Sequence, residues 1–172
     1  MGSFPLNDIV IVPLNKGTDL EPFDCKDADL NEFLRKDAFT YEKQQLAKTY
    51  IALHENKPIG FFSICTDAIR LSHEERQNEF GVDKPHPDYP AIKIARLAVD
   101  CRVARQGVGT HLVKKGVGKA IEISKEVACR FVTVDAYPNM EKFYLSCGFI
   151  RNTADGGGHN VSMRLDLIGF SP

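Results

Sequence analysis

The period of the hydrophobic positions changes several times along the chain, and each change marks an element. Ile9-Val10-Ile11-Val12 is a β-branched run stopped by Pro13, which predicts a strand. Between Phe23 and Tyr41, the residues Leu30, Phe33, Leu34, Ala38 and Tyr41 recur at helical spacing, with Glu32, Arg35 and Lys36 opposite. Asp27 or Asp29 stands where it can cap that helix. The runs Thr49–Leu53 and Ile59–Cys65 flank the polar stretch His54-Glu-Asn-Lys-Pro58, so they predict an antiparallel hairpin. The next segment, from Asp67 to about Pro90, is long and polar. Within it Ser72 precedes Glu75 by three residues, the spacing of a capping box, and Pro85, Pro87 and Pro90 predict an irregular loop.

From Ala91 to Asp100 the chain is mostly apolar, as a central strand would be. A helix follows, to about Ala128, with an inward face of Leu112, Val113, Val117, Ala120, Ile121 and Val127. Lys114, Lys115, Lys119, Glu122 and Lys125 form its solvated face. Gly116 and Gly118 each cost about 1 kcal/mol against alanine there, which close packing on a sheet would explain. Arg130–Ala136 is a further strand, and strand, helix and strand together make a right-handed parallel crossover. A short helix from Pro138 then places Met140, Phe143, Tyr144 and Cys147 on one side and ends at Gly148. Phe149-Ile150 and the alternating Val161–Leu167 predict a second antiparallel hairpin around Thr153–Asn160. No linker divides residues 1–172, which read as a single α/β domain.

Composition narrows the function classes. Of 172 residues, 43% are apolar and 26% charged, with a net charge of −1, whereas a protein gripping a nucleic-acid backbone along its length is usually far more basic. Lys93, Arg96, Arg102 and Arg105 nevertheless offer a local basic strip. The five cysteines contain no Cys-x-x-Cys pair and the five histidines no zinc spacing, so reduced thiols and no metal are expected. Every apolar run falls short of a membrane span and the start lacks a signal-peptide pattern, which makes the cytoplasm the expected location.

The chemistry concentrates in Ala104-Arg-Gln-Gly-Val-Gly-Thr-His-Leu112. Two glycines ahead of a helix and behind a strand set unpaired N–H groups and a positive dipole end toward an anion. A Walker A loop fails, because Gly118-Lys119 is followed by Ala120 and Val113 stands at the leading position. A dinucleotide fingerprint fails at Leu112, where it needs a third glycine.

The order of elements, this loop and a second motif resemble the GCN5-related N-acetyltransferases. Their pyrophosphate loop, Arg/Gln-x-x-Gly-x-Gly/Ala, is matched at Gly107 and Gly109 and departs at Ala104. Their Phe-Tyr-x-x-x-Gly-Phe helix is matched by Phe143-Tyr144-Leu-Ser-Cys-Gly148-Phe149. The asparagine usual seven residues before the tyrosine is Tyr137, so Asn139 is the candidate for its role. The resemblance implies a central mixed, mostly antiparallel sheet with one parallel pair, flanked by helices, and acetyl-coenzyme A as cosubstrate. It places Arg105, Gln106, Gly107, Val108, Gly109 and Thr110 on the pyrophosphate and Leu97, Ala98 and Val99 along the pantetheine arm. Asn139 and Phe143 join the cofactor-binding set. Tyr144 is the candidate acid, since a phenol of pKa about 10 stays protonated while a thiol of pKa about 8.5 leaves. No general base declares itself, and an α-amine of lowered pKa needs none. Phe23–Leu34 and Ala95–Asp100 resemble the branch of aminoacyl-tRNA-acetylating toxins, which implies an aminoacyl-tRNA acceptor, an antitoxin-like partner and the option of a homodimer. A small-molecule or protein amine as acceptor, and a non-catalytic acyl-coenzyme A sensor, are the alternatives.

Overall fold

The computed structural model describes residues 4–80, 88–154 and 158–170. Seven strands follow the order β1-β2-β3-β4-β5-β7-β6: β1 Val10–Pro13, β2 Lys48–His54, β3 Lys57–Arg70, β4 Asp88–Val99, β5 Phe131–Ala136, β6 Ile150–Arg151 and β7 Val161–Asp166. Of the pairings described, β4 with β5 is parallel and the others are antiparallel, as expected. The chain divides into two compact units, one of residues up to Cys65 plus Ile94–Val117, the other of Thr66–Lys93 plus residues from Gly118.

In the first unit β1, β2 and the start of β3 form a meander. Its β2–β3 turn places Glu55 and Asn56 at φ 48° and 60°, the left-handed pair that a two-residue hairpin turn requires. The expected first helix is three pieces: α1 Ala28–Glu32, a π-helical turn Phe33–Asp37 and α2 Ala38–Lys43. Asp27, not Asp29, caps it, accepting from the Leu30 N–H at 3.1 Å. The π turn was not legible, because its inserted residue leaves Phe33, Leu34 and Ala38 still buried against Phe23, Ile51 and Phe61. The long helix α4, Val108–Ser124, buries Leu112, Val113 and Val117. A Cβ on Gly116 would stand 2.9 Å from Ile94 Cδ1, and one on Gly60 would stand 2.7 Å from Leu112 Cδ1, so both glycines permit close helix–strand approach.

In the second unit Ala120 is buried, but a Cβ on Gly118 would meet nothing within 4 Å, so the packing account does not extend to it. The α4 helix stops before Ala128 and leaves Val127 66% exposed, against expectation. Ser124 Oγ donates to the Ile121 carbonyl, and the following amides of Lys125 and Glu126 bond three residues back, which tightens and ends the helix. β3 continues to Arg70 inside the supposed polar segment, and Ile69 packs with Leu71, Tyr89, Ala91 and Phe131. The capping box then opens α3, His73–Phe80, with the Glu75 N–H donating to Ser72 Oγ at 3.2 Å and the Ser72 N–H to Glu75 Oε2 at 2.7 Å. Pro90 lies inside β4, and its carbonyl accepts from the Arg130 N–H at 2.9 Å; Pro85 and Pro87 lie outside the described residues. The final hairpin forms with β7 between β5 and β6, but β7 does not alternate: Met163, Arg164 and Leu165 are all buried. Arg164 is enclosed because Glu75 and Glu79 of α3 and Asn152 receive its guanidinium at 2.8, 3.0 and 2.8 Å.

Candidate functional site

The cosubstrate residues expected on the β4 end and the glycine loop are consecutive parts of the first unit. Ala98 is buried and Leu97 and Val99 are partly exposed. Immediately after them Asp100, fully buried, fixes where the loop begins. Its carboxylate accepts from the Asp24 N–H at 2.9 Å, the Arg102 N–H at 2.9 Å and the Arg102 guanidinium at 2.6 and 2.8 Å. Burial pushes the Asp100 carboxyl up, but the Arg102 guanidinium and the two amides outweigh it and hold the group below its ordinary value. Asp24 is itself bound by Asn31 and Lys26, so Phe23–Asn31 braces the loop's base. The sequence reading missed Asp100; its only signal was an acid at the strand end two residues before an arginine.

The turn Ala104–Gly107 has Arg105 at φ 61° and Gly107 at φ 86°, both left-handed. The His111 N–H donates to the Gly107 carbonyl at 3.0 Å, the first bond of α4. The amides of Val108, Gly109 and Thr110 therefore lead the helix with no carbonyl of an earlier turn in front of them, and the exposed Arg105, Gln106 and Gly107 stand before them. A Cβ on Gly107 would reach only Leu6, at 3.5 Å, so the constraint there is conformational rather than steric. His111, in the first turn, has a buried Nε2 with no hydrogen-bond partner among the described residues. Burial, then Lys115 and Lys114, lowers its pKa, so the ring is neutral at neutral pH.

The basic strip does not survive as a free set. Lys93 is held by Asp135 at 2.9 Å and Asp67 at 3.4 Å. Arg96 lies 3.9 Å over the Phe33 ring, and Arg102 is committed to Asp100. Arg105 alone of the four stands on the exposed loop without a described ion pair.

The catalytic candidate belongs to the second unit. After β5, a 3₁₀ turn Pro138–Met140 carries the exposed Asn139 into α5, Glu141–Ser146. Gly148 at φ 92° closes that helix. The Phe149 N–H donates to the Tyr144 carbonyl and the Gly148 N–H to that of Leu145, the paired bonds that a left-handed glycine allows at a helix end. Tyr144 is 9% exposed, between the rings of Phe143 at 5.0 Å and Phe149 at 5.6 Å. Burial, with a smaller contribution from Cys147, pushes its phenol up to about 12, so the hydroxyl is a donor at every working pH. Met140, expected on the same inner side, is 38% exposed, since it lies in the 3₁₀ turn rather than the helix. No group of three His, Cys, Asp or Glu side chains that could hold a metal occurs among the described residues, and no helix there is long and apolar enough to cross a membrane.

The model of the acetyltransferase (GNAT) family matches residues 18–149, which span both the glycine loop and the Phe143–Phe149 motif. The chain belongs to this family. A tRNA-acetylating toxin of Mycobacterium tuberculosis (strain ATCC 25618 / H37Rv) is 23% identical over 137 residues, covering 79% of this chain and 81% of the relative. AtaT complexed with acetyl-methionyl-tRNAfMet has a similar structure, with a TM-score of 0.82 and 23% identity, covering 95% of this chain and 97% of that one. A mutant AtaT toxin bound to the C-terminus of the antitoxin AtaR and acetyl-CoA gives a TM-score of 0.75 at 22% identity, covering 96% and 99%. The acetyltransferase fold and enzyme class read from the loop and the Phe-Tyr helix are thus established for this GNAT chain.

Proposed function

We propose that this GNAT chain transfers the acetyl group of acetyl-CoA to the amino group of an aminoacyl-tRNA in the cytoplasm, as an acetylating toxin with an antitoxin-like protein partner. The observation that carries the acyl-transfer reading is the Arg105–Thr110 turn, whose left-handed Gly107 leaves three successive helix amides free to receive a pyrophosphate. The acceptor reading is supported by the tRNA-acetylating relative and by the AtaT complex with an acetylated aminoacyl-tRNA. In the reaction the amine nitrogen attacks the thioester carbonyl carbon, the C–S bond breaks, and the amine's proton leaves to solvent. Tyr144 acts on the departing sulfur: its ring is largely buried, and its protonated hydroxyl donates to the developing thiolate. Leu97, Ala98 and Val99 align the pantetheine arm through backbone bonds, and Asn139 and Phe143 flank the cofactor.

The test incubates the purified chain with labelled acetyl-CoA and, in parallel, aminoacyl-tRNAs, free amines and peptides. Label on the aminoacyl group is the expected result. Label confined to peptides or free amines would replace the acceptor, and cofactor binding without turnover would replace the enzyme by a sensor.

A further inference from the structure

The second unit contains a cavity of about 270 Å³ that none of the motif residues lines. Its walls include Asp67, Lys93, Asp135, Asn152 and Ser162, with the Arg70–Asp88 ion pair at its rim. The cavity has a definite place in the fold. Parallel pairing of β4 with β5 ends at Lys93↔Thr133, so Lys93 and Asp135 stand at and just past the point where the two strands stop bonding to one another. Thr133, at that last pair, donates its hydroxyl to Asp67 at 2.6 Å and so holds the wall in place. The volume lies below the range of pockets that take drug-sized ligands and suits a group about the size of one amino acid, not a nucleotide cofactor.

Charge and hydrogen bonding then select the occupant. Three carboxylates, Asp67, Asp88 and Asp135, face two cations, Arg70 and Lys93, leaving one negative charge in excess. Lys93 bonds one oxygen of Asp135 at 2.9 Å, while the Asp135 side chain stays 45% exposed and so retains acceptor capacity toward the cavity. Asn152 and Ser162, bonded to each other at 2.8 Å, present amide and hydroxyl groups beside it. A long apolar side chain placed here would strip water from these groups without replacing its hydrogen bonds.

We propose that this cavity seats the acceptor: its amine N–H groups donate to Asp135, and the side chain beside the amine is polar. This rests on the aminoacyl-tRNA reading for the form in which the acceptor arrives. An α-amine of lowered basicity reaches its neutral state near neutral pH. Its N–H bonds to Asp135 then leave the nitrogen lone pair for attack. Asp135 is in this account a positioning residue.

The test measures steady-state acetylation by the full chain with tRNAs charged with methionine, leucine, glutamine or serine, and with the free amides of the same amino acids. In whichever form is used, kcat/KM for glutamine or serine should exceed that for methionine and leucine by about tenfold or more. Asp135→Asn should raise KM for the preferred acceptor about tenfold, the loss of a charge-assisted hydrogen bond, with kcat within about twofold and acetyl-CoA affinity unchanged by calorimetry. Ala154→Leu, which narrows the same cavity without altering its charge, should raise the same KM and covers the case in which Asp135→Asn misfolds. Preference for methionine or leucine, or an unchanged KM in both folded variants, overturns the proposal. Acetylation of the amides but of no tRNA overturns the tRNA reading and leaves the cavity to be judged by the same ratios. Acetylation of no acceptor overturns both.

Discussion

Glu75→Gln isolates one charge whose energetic consequence follows from its surroundings. Glu75 is 7% exposed, and burial by itself pushes its carboxyl up. The Ser72 and Thr153 N–H groups, the Thr153 hydroxyl and Arg164 outweigh that and bring it down to about 2 from the ordinary 4.5. A depression of that size corresponds to about 3 kcal/mol, since one pKa unit is worth about 1.4 kcal/mol. The sign is that of a lowered acid: the contribution is complete above the unfolded-state value and disappears as pH falls from about 4.5 toward 2. Glutamine resembles the protonated side chain in shape, so the variant should lose that amount at pH 7. For a chain of 172 residues this means a melting temperature lower by roughly 10 °C. The measurement is calorimetric melting of both proteins from pH 7 to pH 2.5. Asp24 and Asp100 also sit below their ordinary values, but they titrate alike in both proteins, so the difference between the curves reports Glu75. A gap that stayed below about 1 kcal/mol at pH 7, or failed to close on acidification, would refute the reasoning.

Three further outcomes follow from the site and from α4. Tyr144→Phe should lower thiol release about 10²–10⁴-fold and leave acetyl-CoA binding intact, with a melting curve to confirm folding; undiminished turnover in a folded variant removes Tyr144 as the acid. Gly107→Val puts a β-branched residue at φ 86° and should weaken acetyl-CoA binding, measured by calorimetry, even though only Leu6 lies near its Cβ. On α4, Gly118→Ala should raise stability by up to about 1 kcal/mol, because its Cβ meets nothing, whereas Gly116→Ala should gain less or lose, because Ile94 Cδ1 must give way. Equal melting temperatures for those two variants would contradict the packing account.

What the sequence made legible, and what it hid, divides along a physical line. Periodicity found α4, β5 and the hairpins because burial of apolar side chains decides those elements, and Phe33, Leu34, Leu112 and Val113 are buried as their spacing requires. Local chemistry with a fixed spacing was equally plain: the Ser72–Glu75 box, the Gly148 helix end and the Gly107 turn each need one backbone geometry and one or two residue types. What stayed hidden was set by partners far away in the chain. Arg164 reads as a solvent-facing residue of an alternating strand until Glu75, 89 positions earlier, is found to receive it. Arg102 and Lys93 read as cations for an RNA backbone, whereas buried Asp100 and the Asp67–Asp135 pair already neutralise them. Spacing cannot report such pairs, since an ion pair has no period. The same blindness concealed the cavity, because Asp67, Asp135 and Asn152 come from three separate stretches that only the strand order assembles. The motifs name the reaction because acyl transfer demands local devices, a phosphate turn and a proton donor. The proposed acceptor cavity is assembled by charge pairs distant in sequence, so the acceptor's identity has to be sought in the fold.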